Sequence, residues 1–515
     1  MSTLVSCSQV NPDFGSTLNR GLNADPESLD PQLSSSTQSS TVLYDLREGL
    51  VTRDRNGRLA PGAAKEWIVS ADGKTYTFNL RSNLKWSNGE ELDSRDFVYA
   101  FRRLVDPQTA SPHAHMLSQV IGAEEIIAGI SNPDSLGVLA VDKDTLKIEL
   151  ASPVPYFLQV LSHSSLVPIY IDRSAGKVSR ISGLTAITNG AYRLVGHEIN
   201  SSLTLVKNLF YWGSENTKIE RVIYHVIGQE AEANRYRAGE IDITDSVSEV
   251  AFQMFQEDRR NELHVSPMLG VYYYGLNVTK PPFKDHPAIR TALSLAIDRN
   301  VLVKSVIGRG EIPAYGLVPQ GVTGYESPDF RYSNISQEAR NEIARGILRD
   351  AGYSDSNKFT FELRYNTGGG HEKIALAIQS MWRRELGVEV SLRAEEFKVF
   401  ISNVRAMSTT EAYRLSWTGD YDDPLTFLQL FETGNPSNLT GYSNRVVDKL
   451  LARGQIELDA NMREKLLQDA ELISIEDCPL IPIYYYVSKH LVNPRVNGWS
   501  DSILDIHLSR HLALD

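Results

Sequence analysis

The chain has 515 residues, more than one hydrophobic core accommodates, so two to four domains are expected. Its 42% apolar and 23% charged content is that of an ordinary water-soluble protein, neither disordered nor membrane-embedded. A formal charge of −12 excludes nucleic acid as the main partner, because phosphate binding needs a basic surface, and no apolar run of about 18 residues exists to span a bilayer.

Only two cysteines occur, Cys7 and Cys478. Leu4-Val5-Ser6-Cys7 resembles the end of a bacterial lipoprotein signal, without the basic and apolar regions that normally precede it. The segment therefore allows a lipid anchor at Cys7 and equally a coincidence. Residues 8–30 read as a polar tether leading into the fold. Residues 34–41 are Ser/Thr/Gln-rich with no apolar period, which predicts a surface loop or a strand edge facing a ligand. A helix follows over 42–50, stopped at Gly49.

Residues 67–69 and 75–81 alternate as strands around the Asp72-Gly73-Lys74 turn, and a helix starts at Ser94 and runs to Asp106-Pro107. Further on, apolar residues at helical spacing predict a helix over 335–351, closed by Gly352. A strand over 359–365 runs into Asn366-Thr367-Gly368-Gly369-Gly370-His371, then a helix over 373–386 and a strand over 388–392. Strand–helix–strand order of this kind predicts an α/β lobe with a parallel or mixed sheet. In 413–418, Tyr413, Leu415 and Trp417 alternate with Arg414, Ser416 and Thr418, a half-buried strand broken by Gly419 and the Asp-Asp-Pro run. An unbroken strand would put Arg414 and Asp420 on one face, about 20 Å apart at about 3.3 Å per residue. That spacing suits a short zwitterion, with a carboxylate for its amine and a guanidinium for its carboxylate. An ordinary strand end with solvated aspartates fits the same pattern. Two further amphipathic helices are expected over 445–453 and 460–474.

Signs of catalysis are sparse. There is no Gly-x-Ser-x-Gly elbow and no Cys-x-x-Cys, His371-Glu372 lacks the second histidine of a zinc-protease helix, and Asp72-Gly73-Lys74-Thr75 lacks the leading glycine of a phosphate loop. His113 and His115 would serve a metallohydrolase only if a third ligand converged on them; a surface loop is the plainer reading.

One block carries a family likeness: Leu59-Ala60-Pro61-Gly62-Ala63-Ala64, Trp67, Asp72-Gly73-Lys74, Tyr76-Thr77-Phe78, Leu80-Arg81, Lys85-Trp86-Ser87-Asn88-Gly89 and Asp96-Phe97-Val98-Tyr99. It resembles the signature region of the periplasmic oligopeptide- and dipeptide-binding proteins of ATP-driven importers, extracellular solute-binding family 5. Further landmarks follow in family order, among them Thr188-Asn189-Gly190-Ala191-Tyr192, Arg237-Ala238-Gly239-Glu240-Ile241-Asp242, Ala296-Ile297-Asp298-Arg299 and Pro482-Ile483-Tyr484-Tyr485-Tyr486.

The resemblance implies a two-lobed α/β periplasmic binding protein of type II, with mixed sheets flanked by helices and an interlobe hinge. Lobe I is expected from 1–47, 171–269 and 486–515, an inserted small domain from 48–170, and lobe II from 270–485. It implies no enzymatic activity, no cofactor and no bound metal, a monomer in the periplasm or lipid-anchored outside the membrane, and a membrane permease as partner. The ligand is expected to be a short peptide lying extended between the lobes and pairing its backbone with protein strands. Asp420 would hold its α-amine and the 416–418 strand would run beside it, with Trp417 walling a pocket. Arg414, His371 and Arg405 would take its carboxylate according to length. Ser35 and Thr37 would supply an opposing backbone edge, and the triplets around Tyr273 and Tyr486 hydroxyls and apolar walls. Ser35 stands where an acidic residue is expected, His113 where a tyrosine is, and the His371–Arg405 spacing is one residue longer than the family pattern. These departures point to altered pockets; a specialised carrier of murein peptide, opine, haem or nickel remains the alternative.

Overall fold

The computed structural model describes residues 16–172, 177–178, 181–407 and 410–515; Cys7 and its lipid-anchor reading fall outside them. The chain begins with strand β1 (Thr17–Leu22), which pairs in parallel with the strand Arg221–Val226 in a four-stranded sheet. Helix α1 (Thr37–Leu46) starts where Ser36 accepts from the Ser39 N–H at 3.2 Å, and it buries Val42, Leu43 and Leu46 against that sheet. The predicted helix over 42–50 is thus displaced towards the N-terminus. The polar segment 37–41 is its first turns rather than a loop or strand edge. Gly49 does not stop the helix, which already ends at Leu46. A Cβ there would sit 3.1 Å from the Leu166 carbonyl, so the glycine is needed for close backbone approach.

Residues 50–170 gather a separate core around Trp86, Phe97, Phe101 and Phe157, beneath an antiparallel four-stranded sheet. A third, six-stranded sheet organises most of the remainder. Its backbone is two long antiparallel strands, β2 (Leu263–Leu276) and β5 (Leu480–Leu491), whose register is interrupted between Pro267 and Val271. On the far side of β2, the sheet continues through β4 (Ala412–Thr418) to β3 (Thr360–Asn366). Helix α2 (His371–Leu386) follows the glycine-rich turn after β3 and covers one face with Ile374, Ile378 and Trp382.

The sheets do not share one core. The first sheet and the C-terminal tail bury Leu18, Tyr192, Leu205, Tyr224, Val496 and Leu512 together. The six-stranded sheet has a core on each face, one with Tyr272, Tyr274 and Trp382, the other with Val271, Tyr273 and Phe427. β2 and β5 run out of the six-stranded sheet towards the first, Leu263 and Leu491 packing there with Tyr236 and Phe255. Contacts elsewhere also bridge the gap: Tyr156 stacks on Tyr421 at 5.2 Å, and Lys373 meets Glu249 at 3.1 Å.

Candidate functional site

β4 has one open edge. Its 412–418 backbone pairs with β2 throughout, but with β3 only at Ala412 and Tyr413. Antiparallel pairs alternate between bonded and non-bonded positions. Gly419 N–H donates to the Leu269 carbonyl at 2.9 Å and Asn277 N–H to the Glu411 carbonyl at 2.8 Å, which fixes the odd-numbered residues of β4 as those bonded to β2. The N–H and C=O groups of Ser416 and Thr418 therefore point to the open edge.

At the far end of that edge the strand stops at Thr418, and Gly419 turns Asp420 into a cavity of about 410 Å³. Ser35, Ser36, Thr37, Tyr44, His113, His163, Asp245 and the 504–508 segment line it. Ser35 and Ser36 direct their N–H groups to Glu27 Oε1 at 2.5 and 2.8 Å, which pins the start of α1 to the cavity wall. Asp420 is exposed to the cleft, yet protein walls on several sides desolvate it and push its carboxyl up; the partly offsetting influences are His115 and His113. His113 Nε2 lies 2.6 Å from the Ser34 carbonyl and its ring packs on His163 at 4.9 Å. Burial holds His163 down to about 3, so this wall is neutral.

The other end is basic. Arg414 is 7% exposed, and its guanidinium donates to Asn366 Oδ1 at 3.1 Å and to the Tyr486 hydroxyl at 3.2 Å. It lies 4.7 Å above the Tyr272 ring. His371, at the start of α2, packs on the same ring at 5.7 Å, and burial followed by the Arg414 charge lowers it to about 4. Among the described residues, Arg414 Nε, His371 Nδ1 and the Tyr272 hydroxyl are buried here without a hydrogen-bond partner. Leaving each unmet costs about 1–3 kcal/mol, so the wall favours a polar, anionic occupant.

The structure thus brings Asp420, Ser35, Thr37 and His113 to one cavity, and Arg414, His371 and Tyr486 to one cluster, with Ser416, Trp417 and Thr418 between. Two residues stand apart. Tyr273 lies in the core on the opposite face of β2, with Val271 and Phe427, so Tyr272 is the triplet member beside Arg414. Arg405 is exposed on the last turn of the helix Phe397–Ala406, outside the cavity. The expected backbone edge at Ser35–Thr37 is a helix N-terminus, whose first N–H groups lack intrahelical partners. His113 and His115 do not converge on a third ligand: His115 Nδ1 faces the Pro112 carbonyl at 3.1 Å. Sequence reading missed Asn366, His163 and Asp245. Of these only Asn366, at the head of the glycine run, carries a local signal.

Separate cores joined by two long strands, with a polar cleft between them, define a two-lobed α/β binding protein. The model for bacterial extracellular solute-binding proteins, family 5, matches residues 58–438, and the chain belongs to that family; its members bind solutes and are not enzymes. The chain is 37% identical over 484 residues to the periplasmic murein peptide-binding protein MppA of Escherichia coli (strain K12), covering 93% of this chain and 89% of that one. It is also 37% identical over 491 residues to the periplasmic oligopeptide-binding protein OppA of Salmonella typhimurium, covering 94% and 90%. Among solved structures, the unliganded open form of the MppA murein tripeptide-binding protein superposes with a TM-score of 0.85 at 35% identity, covering 97% of each chain.

Proposed function

We propose that this protein is the periplasmic binding component of an ATP-driven importer and that it takes short peptides between its lobes. The observation that carries the reading is a buried Arg414 with no carboxylate partner among the described residues at one end of an open strand edge, and the Asp420 carboxylate at the other. The stretch from Arg414 to Asp420 is at most about six strand positions long at about 3.3 Å per residue, and the two side chains reaching in from its ends leave room for a ligand of roughly two to five residues. Asp420 holds the α-amine, Ser416 and Thr418 pair with the backbone, and Trp417 walls a side-chain pocket. Arg414 and His371 take the carboxylate of the ligand, with Arg405 reserved for longer ones. Ser35, Thr37 and His113 face the amino end, and Tyr486 steadies Arg414. Residues 48–170 act as the small domain, and 270–485 as lobe II against a lobe I of 1–47, 171–269 and 486–515. This division follows the separate cores. A membrane permease receives the closed form.

The equal identity to a murein peptide-binding relative supports a second reading, a cell-wall peptide as the preferred ligand. Native mass spectrometry of the purified protein, followed by sequencing of what denaturation releases, separates the two. A mixture of short peptides supports a general carrier, one murein mass a specialised one. A released non-peptide overturns both.

A further inference from the structure

A second constellation sits on the cleft wall formed by β5 and the C-terminal tail, away from Asp420. His490 and His507 both direct Nε2 at one oxygen, Asp505 Oδ1, at 2.8 and 3.0 Å. All three residues line the cavity of about 410 Å³. One donor atom from each lies within 4.8 Å of the others, and among the described residues no other group of three His, Cys, Asp or Glu side chains converges in this way.

The surroundings hold these groups in place. His490 Nδ1 is 2.7 Å from the Thr244 carbonyl, which can only accept, so that nitrogen carries a proton and Nε2 is turned towards Asp505. A carbonyl on the far nitrogen is the arrangement that orients metal-bound imidazoles. Trp499 stacks on His507 with ring centroids 3.8 Å apart and meets His490 at 5.2 Å. Arg20 Nη1 donates to the His507 carbonyl at 2.8 Å and to Ser509 Oγ at 2.9 Å, which fixes the course of the tail beside the fork. Asp505 has φ 57°, a left-handed conformation uncommon outside glycine, and Asp245 adds a further carboxylate to the cavity lining.

We propose that His490 Nε2, His507 Nε2 and the Asp505 carboxylate form a binding site for a divalent ion of the zinc class, with its remaining coordination positions open to the cleft. Two imidazoles and one carboxylate suit zinc, nickel or copper, whereas calcium and magnesium take oxygen ligands. Tetrahedral zinc with bonds of about 2.0–2.2 Å sets its donors roughly 3.3 Å apart. The two imidazole-to-carboxylate separations, 2.8 and 3.0 Å, need only widen by a few tenths of an ångström. Three protein ligands with an open position are the pattern of a site that accepts another donor, here from whatever lies in the cleft. The site is independent of the peptide reading, because it uses none of the residues assigned to peptide.

The test uses the full-length, tag-free protein, stripped with chelator and titrated with zinc chloride by calorimetry, without added peptide. One equivalent is expected to bind. His490→Gln and His507→Gln, each keeping a side-chain donor towards Asp505, should weaken uptake by at least about tenfold. Absence of stoichiometric uptake, or uptake unchanged in both variants, overturns the proposal. Should the variants fail to fold, X-ray absorption of the zinc-loaded wild type decides: two imidazoles in the coordination shell support the site, and fewer than two overturn it.

Discussion

Asp420 needs its negative charge to hold an ammonium group, while the walls around it oppose that charge. Its carboxyl is raised by desolvation, so acidification should discharge it at a pH above the ordinary value of 3.8. Affinity for free-amine peptides, measured by calorimetry across pH, is expected to fall from that higher point. Asp420→Asn should weaken the same peptides by about 2–5 kcal/mol, the usual cost of truncating one partner of an enclosed charge pair; unchanged affinity would remove Asp420 from the site. A second buried carboxyl governs stability instead. Glu232 is fully buried, and burial lifts it from 4.5 to about 8. A raised folded pKa supplies stability that is complete below pH 4.5 and is lost as pH rises through 8. Glu232→Gln should therefore raise the melting temperature above pH 8, by roughly 2–4 kcal/mol of stability, and give no gain below pH 4.5. At this scale the sequence was legible where chain breakers flank the residue, as Gly419 does Asp420. It was silent on Tyr272 against Tyr273. Both faces of β2 are buried, so no polar alternation marks which ring meets Arg414. His490 and His507 are 17 residues apart, with no spacing of a known metal motif, and meet through the path of the tail.

Among the elements, β4 is the decisive one. Its open edge offers main-chain groups that every peptide can match, which makes recognition largely indifferent to side chains. Ser416→Pro should remove one outward N–H without disturbing the pairing with β2, since proline is tolerated on the free side of an edge. The expected result is at least a tenfold loss of affinity, about 1.4 kcal/mol, for every peptide tested, with the ligand-free melting temperature nearly unchanged. A loss confined to certain peptides would mean that the edge is not the common contact. The alternation of Tyr413, Leu415 and Trp417 exposed this strand in the sequence. The start of α1 was hidden because its first turn faces the cleft, and a helix with one wet turn shows no apolar period there. Ser36 as cap and Glu27 as its anchor carry the information instead.

For the whole molecule, β2 and β5 are two long strands that reach from the six-stranded sheet towards the first, with an irregular stretch between Pro267 and Val271. Closure on a ligand should shrink the radius of gyration in small-angle scattering and raise the melting temperature, by about 2.7 kcal/mol of stability at a hundredfold excess over the dissociation constant. A flat response to di-, tri-, tetra- and murein peptides alike would count against a peptide carrier. The Lys373–Glu249 pair is exposed on both sides and adds at most about 1 kcal/mol to any one state. The pairing of β5 with a strand some two hundred residues upstream was not readable from periodicity; the expectation of a discontinuous lobe came from the family landmarks alone. The open edge of β4 has one further consequence. An unpaired strand is a template on which other chains can stack into aggregates, and sheet proteins normally blunt such edges with charge or bulges. Here the guard is architectural: the edge runs into the cleft, with the walls of the cavity of about 410 Å³ standing around its end at Thr418 and Asp420. Sociability towards peptides and solitude among its own copies come from the same walls.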